Sequence, residues 1–220
     1  MVGAGRDTGR VRVWAIVVAA GAGARFGGAK QFERVGSETV LERSVRTAGA
    51  ACDGVVVVLA ADAVWDPPAG VSCVRGGATR SESVRAGLAV VPDDAEVVVV
   101  HDAARPLASR ALFDAMIAAV RDGADGAVPG VAIADTVKRV DGDLVVETVP
   151  RDALVAVQTP QAFGTECLRR AHASGGVDTD DAALVEAIGG RVVVVAGERA
   201  NIKITTADDL AVVRALGDGT

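Results

Sequence analysis

Hydrophobic positions along this chain fall into two alternating kinds of segment. Short, nearly continuous apolar runs occupy residues 13–18, 55–59, 71–74, 97–100, 127–133, 155–157 and 192–195, and several are unbroken valine. Strands read this way when both faces are covered and neither meets water, as in parallel sheets between helix layers. Helical stretches lie between them at 40–51, 81–91, 109–121, 165–173, 180–188 and 207–216. The alternation predicts an α/β fold, a doubly wound and mostly parallel sheet, with ligands at the carboxyl ends of the strands. One segment breaks it. Residues 136–140 and 144–149 flank Asp141-Gly142-Asp143, a hairpin signal. Lys138, Arg139 and Glu147 leave this protruding arm, at about 135–152, half polar. A lone hairpin is marginal in water, so it is expected to pack against a second subunit or to extend its own sheet.

Length and charge narrow the picture. The first ten residues are polar and glycine-rich and read as a disordered tail, leaving 11–220 as a single domain that carries the arm. A net charge of -6 argues against nucleic acid as a partner. No apolar run reaches the roughly 18 residues of a membrane span. Arg6, Arg10 and Arg12 ahead of the run 13–20 resemble a short secretory signal. The strand reading is preferred, because nothing downstream could replace that strand at the mouth of a glycine loop. Cys52, Cys73 and Cys167 contain no CxxC pair and read as small core residues in a reducing, cytoplasmic compartment. His101 and His172, the only histidines, are too few for a histidine metal centre or a Ser-His-Asp triad.

The candidate chemistry starts after the first strand, where Ala19-Ala20-Gly21-Ala22-Gly23-Ala24-Arg25-Phe26-Gly27-Gly28-Ala29-Lys30 stands. Small residues let a backbone approach a ligand, and turned N–H groups make an anion nest. A dinucleotide fingerprint, the mark of an NAD(P)-binding oxidoreductase, wants a small residue where Phe26 stands; a P-loop wants Gly-Lys-Ser/Thr, which is absent. Arg25 and Lys30 suit a polyphosphate better. The plain alternative is a mobile turn with solvated charges.

The loop, ending Ala29-Lys30-Gln31-Phe32, resembles that of the 2-C-methyl-D-erythritol 4-phosphate cytidylyltransferase family. Further matches follow in order: Gly76-Gly77 with Arg80 and Ser83-Val84; His101-Asp-Ala-Ala-Arg-Pro106; Asp135-Thr136 with Lys138-Arg139; Arg151; Thr159-Pro-Gln161; Thr179-Asp180; and Asn201-Ile-Lys-Ile-Thr205. The resemblance implies a Rossmann-like nucleotidyltransferase that moves CMP from CTP to a polyol phosphate and releases pyrophosphate. It implies Arg25, Lys30 and Lys203 as the catalytic cations and Asp102 as the ligand of Mg²⁺ or another divalent cation. It implies Ala19, Ala20, Gly21, Gly23, Gly76, Gly77, Arg80, Ser83 and Ala103 around CTP. For the methylerythritol phosphate it implies Lys203, Thr159 and Thr205, with Thr136 and Arg151 arriving on the arm of a homodimer partner. Ala78 departs from the pattern, since many relatives carry aspartate there. Ser81 reads equally well as a helix cap, and Asp208 as the cap of the last helix. A ribitol-5-phosphate cytidylyltransferase is the near alternative, and the Ala103-Ala104 pair favours methylerythritol phosphate. The chain is expected to be too short for a fused second enzyme.

Overall fold

A computed structural model describes residues 11–21, 23, 25–175 and 180–217. The expected tail at 1–10, and Thr179 of the matched pair, lie outside the described residues. Branched Cβ atoms stiffen valine and favour extended backbone, and the first run forms β1 (Val13–Ala19). A single 3-10 turn (Lys30–Phe32) and the two-residue strands β2 (Arg34–Val35) and β3 (Glu38–Thr39) lead to α1 (Val40–Ala51). The alternation continues through β4 (Gly54–Leu59), β5 (Val71–Arg75), α2 (Arg80–Leu88), β6 (Val97–Asp102), α3 (Arg110–Arg121) and β7 (Gly126–Ala132). Then come β8 (Val137–Asp141), β9 (Leu144–Val149), β10 (Val155–Val157), β11 (Gln161–Gly164), α4 (Thr165–Ala173), α5 (Asp181–Ala187), β12 (Val192–Ala196) and α6 (Ala207–Gly217). Each apolar run and each helical stretch has its element, with ends shifted by a few residues. The pattern gives no sign of β11, a four-residue strand with a polar and a glycine end.

Eight strands form the central sheet. β5, β4, β1 and β6 lie side by side and parallel. β11 follows, antiparallel to both β6 and β7, and β12 runs parallel to the far edge of β7. The chain starts in the middle, moves out through β4 to β5, and returns to the other side of β1 for β6. The switch point therefore lies between the ends of β1 and β6, where Val18 pairs with Asp102. A crevice opens at such a point because the connections on either side leave in opposite directions.

Side chains alternate between the two faces. Ala15, Val17, Val55, Val57, Val97 and Val99 pack on one face with the stripe Leu112, Phe113, Met116, Ile117 and Val120 of α3 and with Leu41, Val45 and Ala48 of α1. Ile16, Val56, Val58, Val98 and Val100 pack on the other with Val84 and Leu88 of α2, Leu168 of α4 and Val185 of α5. A smaller cluster joins Val35, Val40 and Ile204 to Leu210 and Val213 of α6. The run that resembled a secretory signal is the buried centre of the sheet.

The caps correct two expectations. Thr79, not Ser81, caps α2: its hydroxyl accepts the Glu82 N–H while the Glu82 carboxylate accepts the Thr79 N–H. Ser81 is buried within the helix. At α6 the carboxylate that accepts the Thr205 and Thr206 N–H groups belongs to Asp209, not to Asp208. The cysteines are free, but only Cys167 is fully buried; Cys52 is partly covered and Cys73, on the outermost strand β5, is exposed. The hairpin of β8 and β9 is a separate two-stranded sheet and does not extend the central one. It carries Val140, Leu144, Val145 and Val146 more than half exposed, with an Arg139–Glu147 ion pair across it.

Close packing of α2 on the sheet rests on Gly87. A Cβ there would stand 2.6 Å from Ile16 Cγ2 and 3.2 Å from Val58 Cγ2. Alanine favours an exposed helix position by about 1 kcal/mol over glycine, but crowding a filled core costs about 1–3 kcal/mol. Gly87→Ala is therefore expected to lower stability in urea unfolding, and a rise would show that α2 sits loosely.

Candidate active site

The glycine loop leaves β1 at the switch point and folds back on itself. Gly23 makes that possible: its φ is +64°, and a Cβ there would lie 2.1 Å from the Gly28 carbonyl oxygen. Its own carbonyl accepts the N–H groups of Phe26 and Gly27 at 2.8 and 2.9 Å. Phe26, whose bulk spoils a dinucleotide fingerprint, packs against the α6 cluster. Across the crevice, Gly76 lets α2 approach, since a Cβ would meet Ala20 Cβ at 2.6 Å and Ser83 Oγ at 2.7 Å.

The resulting cavity is about 430 Å³. Of the residues expected around the nucleotide and phosphates, Ala19, Ala20, Gly21, Gly23, Arg25, Lys30, Gly77, Arg80, Ser83, Asp102, Ala103 and Lys203 all line it. Gly76 stands behind the wall in a packing role. Gln31 of the loop match, Ala78 where many relatives carry aspartate, and Ala104 of the alanine pair also line it; Thr79 lines it without having been singled out in the sequence. A second cavity of about 210 Å³ shares Arg80, Asp102 and Lys203, and adds Arg105, Gln158, Thr159, Gln161 and Asp180. Thr205 is half-buried, and its hydroxyl donates to Asp209. Thr136 and Arg151 line neither cavity; they are exposed at the base of the arm, where the Arg151 guanidinium donates to the Ala134 carbonyl.

Asp102 is the one carboxylate lining the larger cavity among the described residues. Its Oδ1 accepts Arg80 Nε at 3.2 Å and its Oδ2 accepts Lys203 Nζ at 2.5 Å. Burial alone would raise its pKa, but Arg80 and Lys203 hold the carboxyl far below the usual carboxylate range. Arg80 is shared: Nη1 donates to Asp181 Oδ2 at 2.7 Å, and His172 Nε2 lies 3.0 Å from Asp181 Oδ1. Burial works against the Arg80 charge, and Asp102 and Asp181 more than reverse that, so its proton is held more tightly than usual.

The cations crowd one another. Burial, Lys203 and Arg25 lower the Lys30 pKa, with Asp102 and Asp209 opposing. Such a cluster is costly without a ligand and favourable around a polyanion. His101 is locked out of proton chemistry: it is fully buried and tilted against Phe113, and burial lowers its pKa to about 4. Thr159 Oγ1 accepts the Asp102 N–H at 3.0 Å and stands 3.1 Å from His101 Nδ1. His101 Nε2, 3.2 Å from the Arg105 carbonyl, then carries the ring proton.

The described residues hold no group of three metal-ligating side chains. Mg²⁺ does not need one, because it binds through one or two carboxylates plus the phosphates of its substrate. Each Asp102 oxygen accepts one hydrogen bond and keeps a further lone pair. Asp102 could therefore offer its carboxylate to a divalent cation that takes its other ligands from a bound phosphate substrate.

An α/β sheet with its switch point opening on a glycine loop, and with cations gathered around one buried carboxylate, defines a protein that binds and reacts nucleotide phosphates. The chain belongs to the 2-C-methyl-D-erythritol 4-phosphate cytidylyltransferase (IspD) family, whose model matches residues 13–216. It is 46% identical to the 2-C-methyl-D-erythritol 4-phosphate cytidylyltransferase of Rhodococcus opacus, covering 94% of this chain and 96% of that one. It is 41% identical to the bifunctional enzyme IspD/IspF of Nitratidesulfovibrio vulgaris, covering 93% of this chain but 58% of the relative, so it spans little more than half of that longer protein. The crystal structure of the Thermus thermophilus cytidylyltransferase superposes with a TM-score of 0.82 at 37% identity, over 94% of this chain and 98% of that one. Family membership removes the NAD(P)-dependent reading of the glycine loop.

Replacing Lys30 separates its two effects. Its proton is bound less tightly folded than unfolded, so its contribution to stability improves as pH rises through the depressed pKa. Lys30→Met should leave the melting temperature unchanged or raised by a few degrees, while turnover falls by about 100-fold or more. A clear drop in melting temperature would assign Lys30 to the fold instead.

Proposed function

We propose that this chain transfers CMP from CTP to the phosphate of 2-C-methyl-D-erythritol 4-phosphate and releases pyrophosphate, in isoprenoid precursor synthesis. The observation that carries the reading is the Asp102 carboxylate held between Arg80 and Lys203 where the glycine loop opens. The acceptor phosphate has a second pKa of about 6 and is largely a dianion at neutral pH, so it needs no general base. What remains is the repulsion between two polyanions and the charge growing on the leaving pyrophosphate. Cations fixed before the reaction lower both, because they need not reorganise as charge moves. In this reading Arg25 and Lys30 hold the triphosphate, and Lys203 faces the phosphorus under attack. Ser83 and the backbone near Gly77 sit where the base would lie. The smaller cavity beside Arg105 and Thr159 receives the acceptor. A divalent cation, most simply Mg²⁺ on Asp102, would neutralise phosphate charge when bound.

The arm belongs to the same proposal. Its exposed valines and leucine favour a partner, and a second copy of the chain would bring Thr136 and Arg151 to the site. Arg suits bidentate phosphate capture. No described helix is long and apolar enough to cross a membrane, and the cytoplasm is the proposed compartment.

Pyrophosphate release with CTP, UTP and GTP, each offered methylerythritol phosphate or ribitol 5-phosphate, tests the substrate pair. Turnover is expected with CTP and methylerythritol phosphate; turnover confined to ribitol 5-phosphate would overturn the choice of acceptor. Mixing Arg151→Ala with Lys203→Ala chains tests the shared site. If the arm crosses over, each mixed dimer regains one intact site, and an equal mixture should recover roughly a quarter of wild-type activity. No recovery, with mixed dimers demonstrated, would confine Arg151 to its own subunit's site, and Arg151→Ala chains that are active alone would remove it from the site.

A further inference from the structure

Lys203 stands in a segment with no helix or strand of its own. Residues 197–206, between β12 and α6, contain only a turn and a bend. Yet its ammonium reaches Asp102 Oδ2 at 2.5 Å. After it, the Ile204 N–H donates to the Ala104 carbonyl at 2.8 Å, with the Ile204 side chain fully buried. Before it, the restraint comes from a side chain between β10 and β11, Gln158.

The Gln158 backbone N–H is tied to the Pro129 carbonyl of β7 at 2.8 Å, and the side chain is almost wholly buried. Its amide faces the turn ahead of Lys203 with every hydrogen-bonding position used. Nε2 donates to the carbonyls of Glu198 at 2.8 Å and Asn201 at 3.2 Å. Oε1 accepts the Glu198 N–H at 3.1 Å and Asn201 Nδ2 at 3.3 Å. Two donors facing carbonyls and one acceptor facing N–H groups fix which end of the amide is oxygen. The fully buried Asn201 extends the grip: Nδ2 also donates to the Thr159 carbonyl at 2.9 Å, and its own carbonyl accepts Arg105 Nη1 at 2.8 Å. Gly197 keeps the space open, since a Cβ there would lie 2.8 Å from Gln158 Oε1.

The two ends of one salt bridge are thus set by neighbouring residues. Thr159 holds the Asp102 backbone N–H, while Gln158 holds the turn that presents Lys203. We propose that Gln158 is a positioning residue for Lys203: its amide fixes the turn at 198–201 and so sets where the Lys203 ammonium stands over the reacting phosphates. This rests on the reading of Lys203 given above. A displacement of about 1 Å at a reacting group can cost up to 100-fold in rate. A loosened turn should therefore appear in kcat while leaving nucleotide binding by the glycine loop largely in place.

The test is a double-mutant cycle on pyrophosphate release, with hydrogen exchange as a second readout. Gln158→Leu should lower kcat by about tenfold or more, move KM for CTP much less, and speed amide exchange in the 198–204 segment. In a Lys203→Ala background the same change should add less than about twofold, because its effect passes through the lysine. Equal losses in both backgrounds, or exchange at 198–204 that does not change, would overturn the proposal. If Gln158→Leu does not fold, Asn201→Ser runs through the same cycle with the same expected outcomes; it keeps the backbone carbonyl that Arg105 and Gln158 bind. Lys203→Ala with wild-type turnover would instead overturn the role of the lysine, a separate failure from that of Gln158.

Discussion

A carboxylate at the end of a central strand, almost fully covered, is the constraint around which this site is built. Asp102 is 7% exposed, and an uncompensated charge there would be costly. Arg80 from the start of α2 and Lys203 from the last loop supply the compensation. Each then needs support of its own. Arg80 spends a second nitrogen on Asp181, which fixes the start of α5 relative to α2. Lys203 depends on a loop strapped to the β10–β11 junction. Thr159, in that junction, meets the Asp102 N–H, closing the circuit. Removing one partner would leave a buried charge exposed to the others. The fold and the chemistry are held by the same bonds.

The sheet supplies the geometry that makes such a circuit useful. β1 and β6 are parallel neighbours whose connections depart to opposite sides, so their ends present the glycine loop and Asp102 at one crevice. A protein with a net charge of -6 repels a polyanion at long range. At physiological ionic strength screening acts beyond about 8 Å, so the cations lining the cavity govern what happens once the ligand reaches its mouth. Lys203 and Arg25 crowd Lys30 and disfavour its charge, an unfavourable term that a bound polyanion would relieve.

Much of this was legible in the sequence, and what was not has physical reasons. Valine runs marked the strands because both faces are buried, and Asp141-Gly142-Asp143 marked the hairpin. The glycine loop with its two cations marked one wall of the cavity, which Gly21, Gly23, Arg25 and Lys30 line. Family resemblance, more than spacing, singled out Asp102 and Lys203. The α2 cap was readable and misassigned: Glu82 stands three residues after Thr79, the capping-box spacing, whereas Val84 stands three after Ser81. Thr159 and Thr205 looked free to meet a ligand, but a sequence does not show that one hydroxyl faces Asp102 and His101 while the other is committed to Asp209. The partnership of Arg80 with Asp181 spans 101 residues and leaves no local signal. Gln158 was silent for the same reason, since its partners are mostly backbone groups of a distant turn.

The fate of the two histidines bears on how the proposed reaction could run. His101 adjoins Asp102 in the chain, yet its ring is turned into the core, neutral, with both nitrogens engaged. His172 is buried against Asp181, on the far side of Arg80 from Asp102. Neither lines either cavity. A reaction that required a proton to be taken from its nucleophile would find no imidazole there. A phosphate dianion asks for none, and the charged groups that line the larger cavity are Arg25, Lys30, Arg80, Lys203 and the Asp102 carboxylate that Arg80 and Lys203 hold. In the proposed reaction Arg25, Lys30 and Lys203 would act on the phosphates by charge compensation, not by proton transfer. Its pH dependence should follow the acceptor phosphate on the acid side and Lys30, whose pKa burial and the neighbouring cations lower, on the alkaline side.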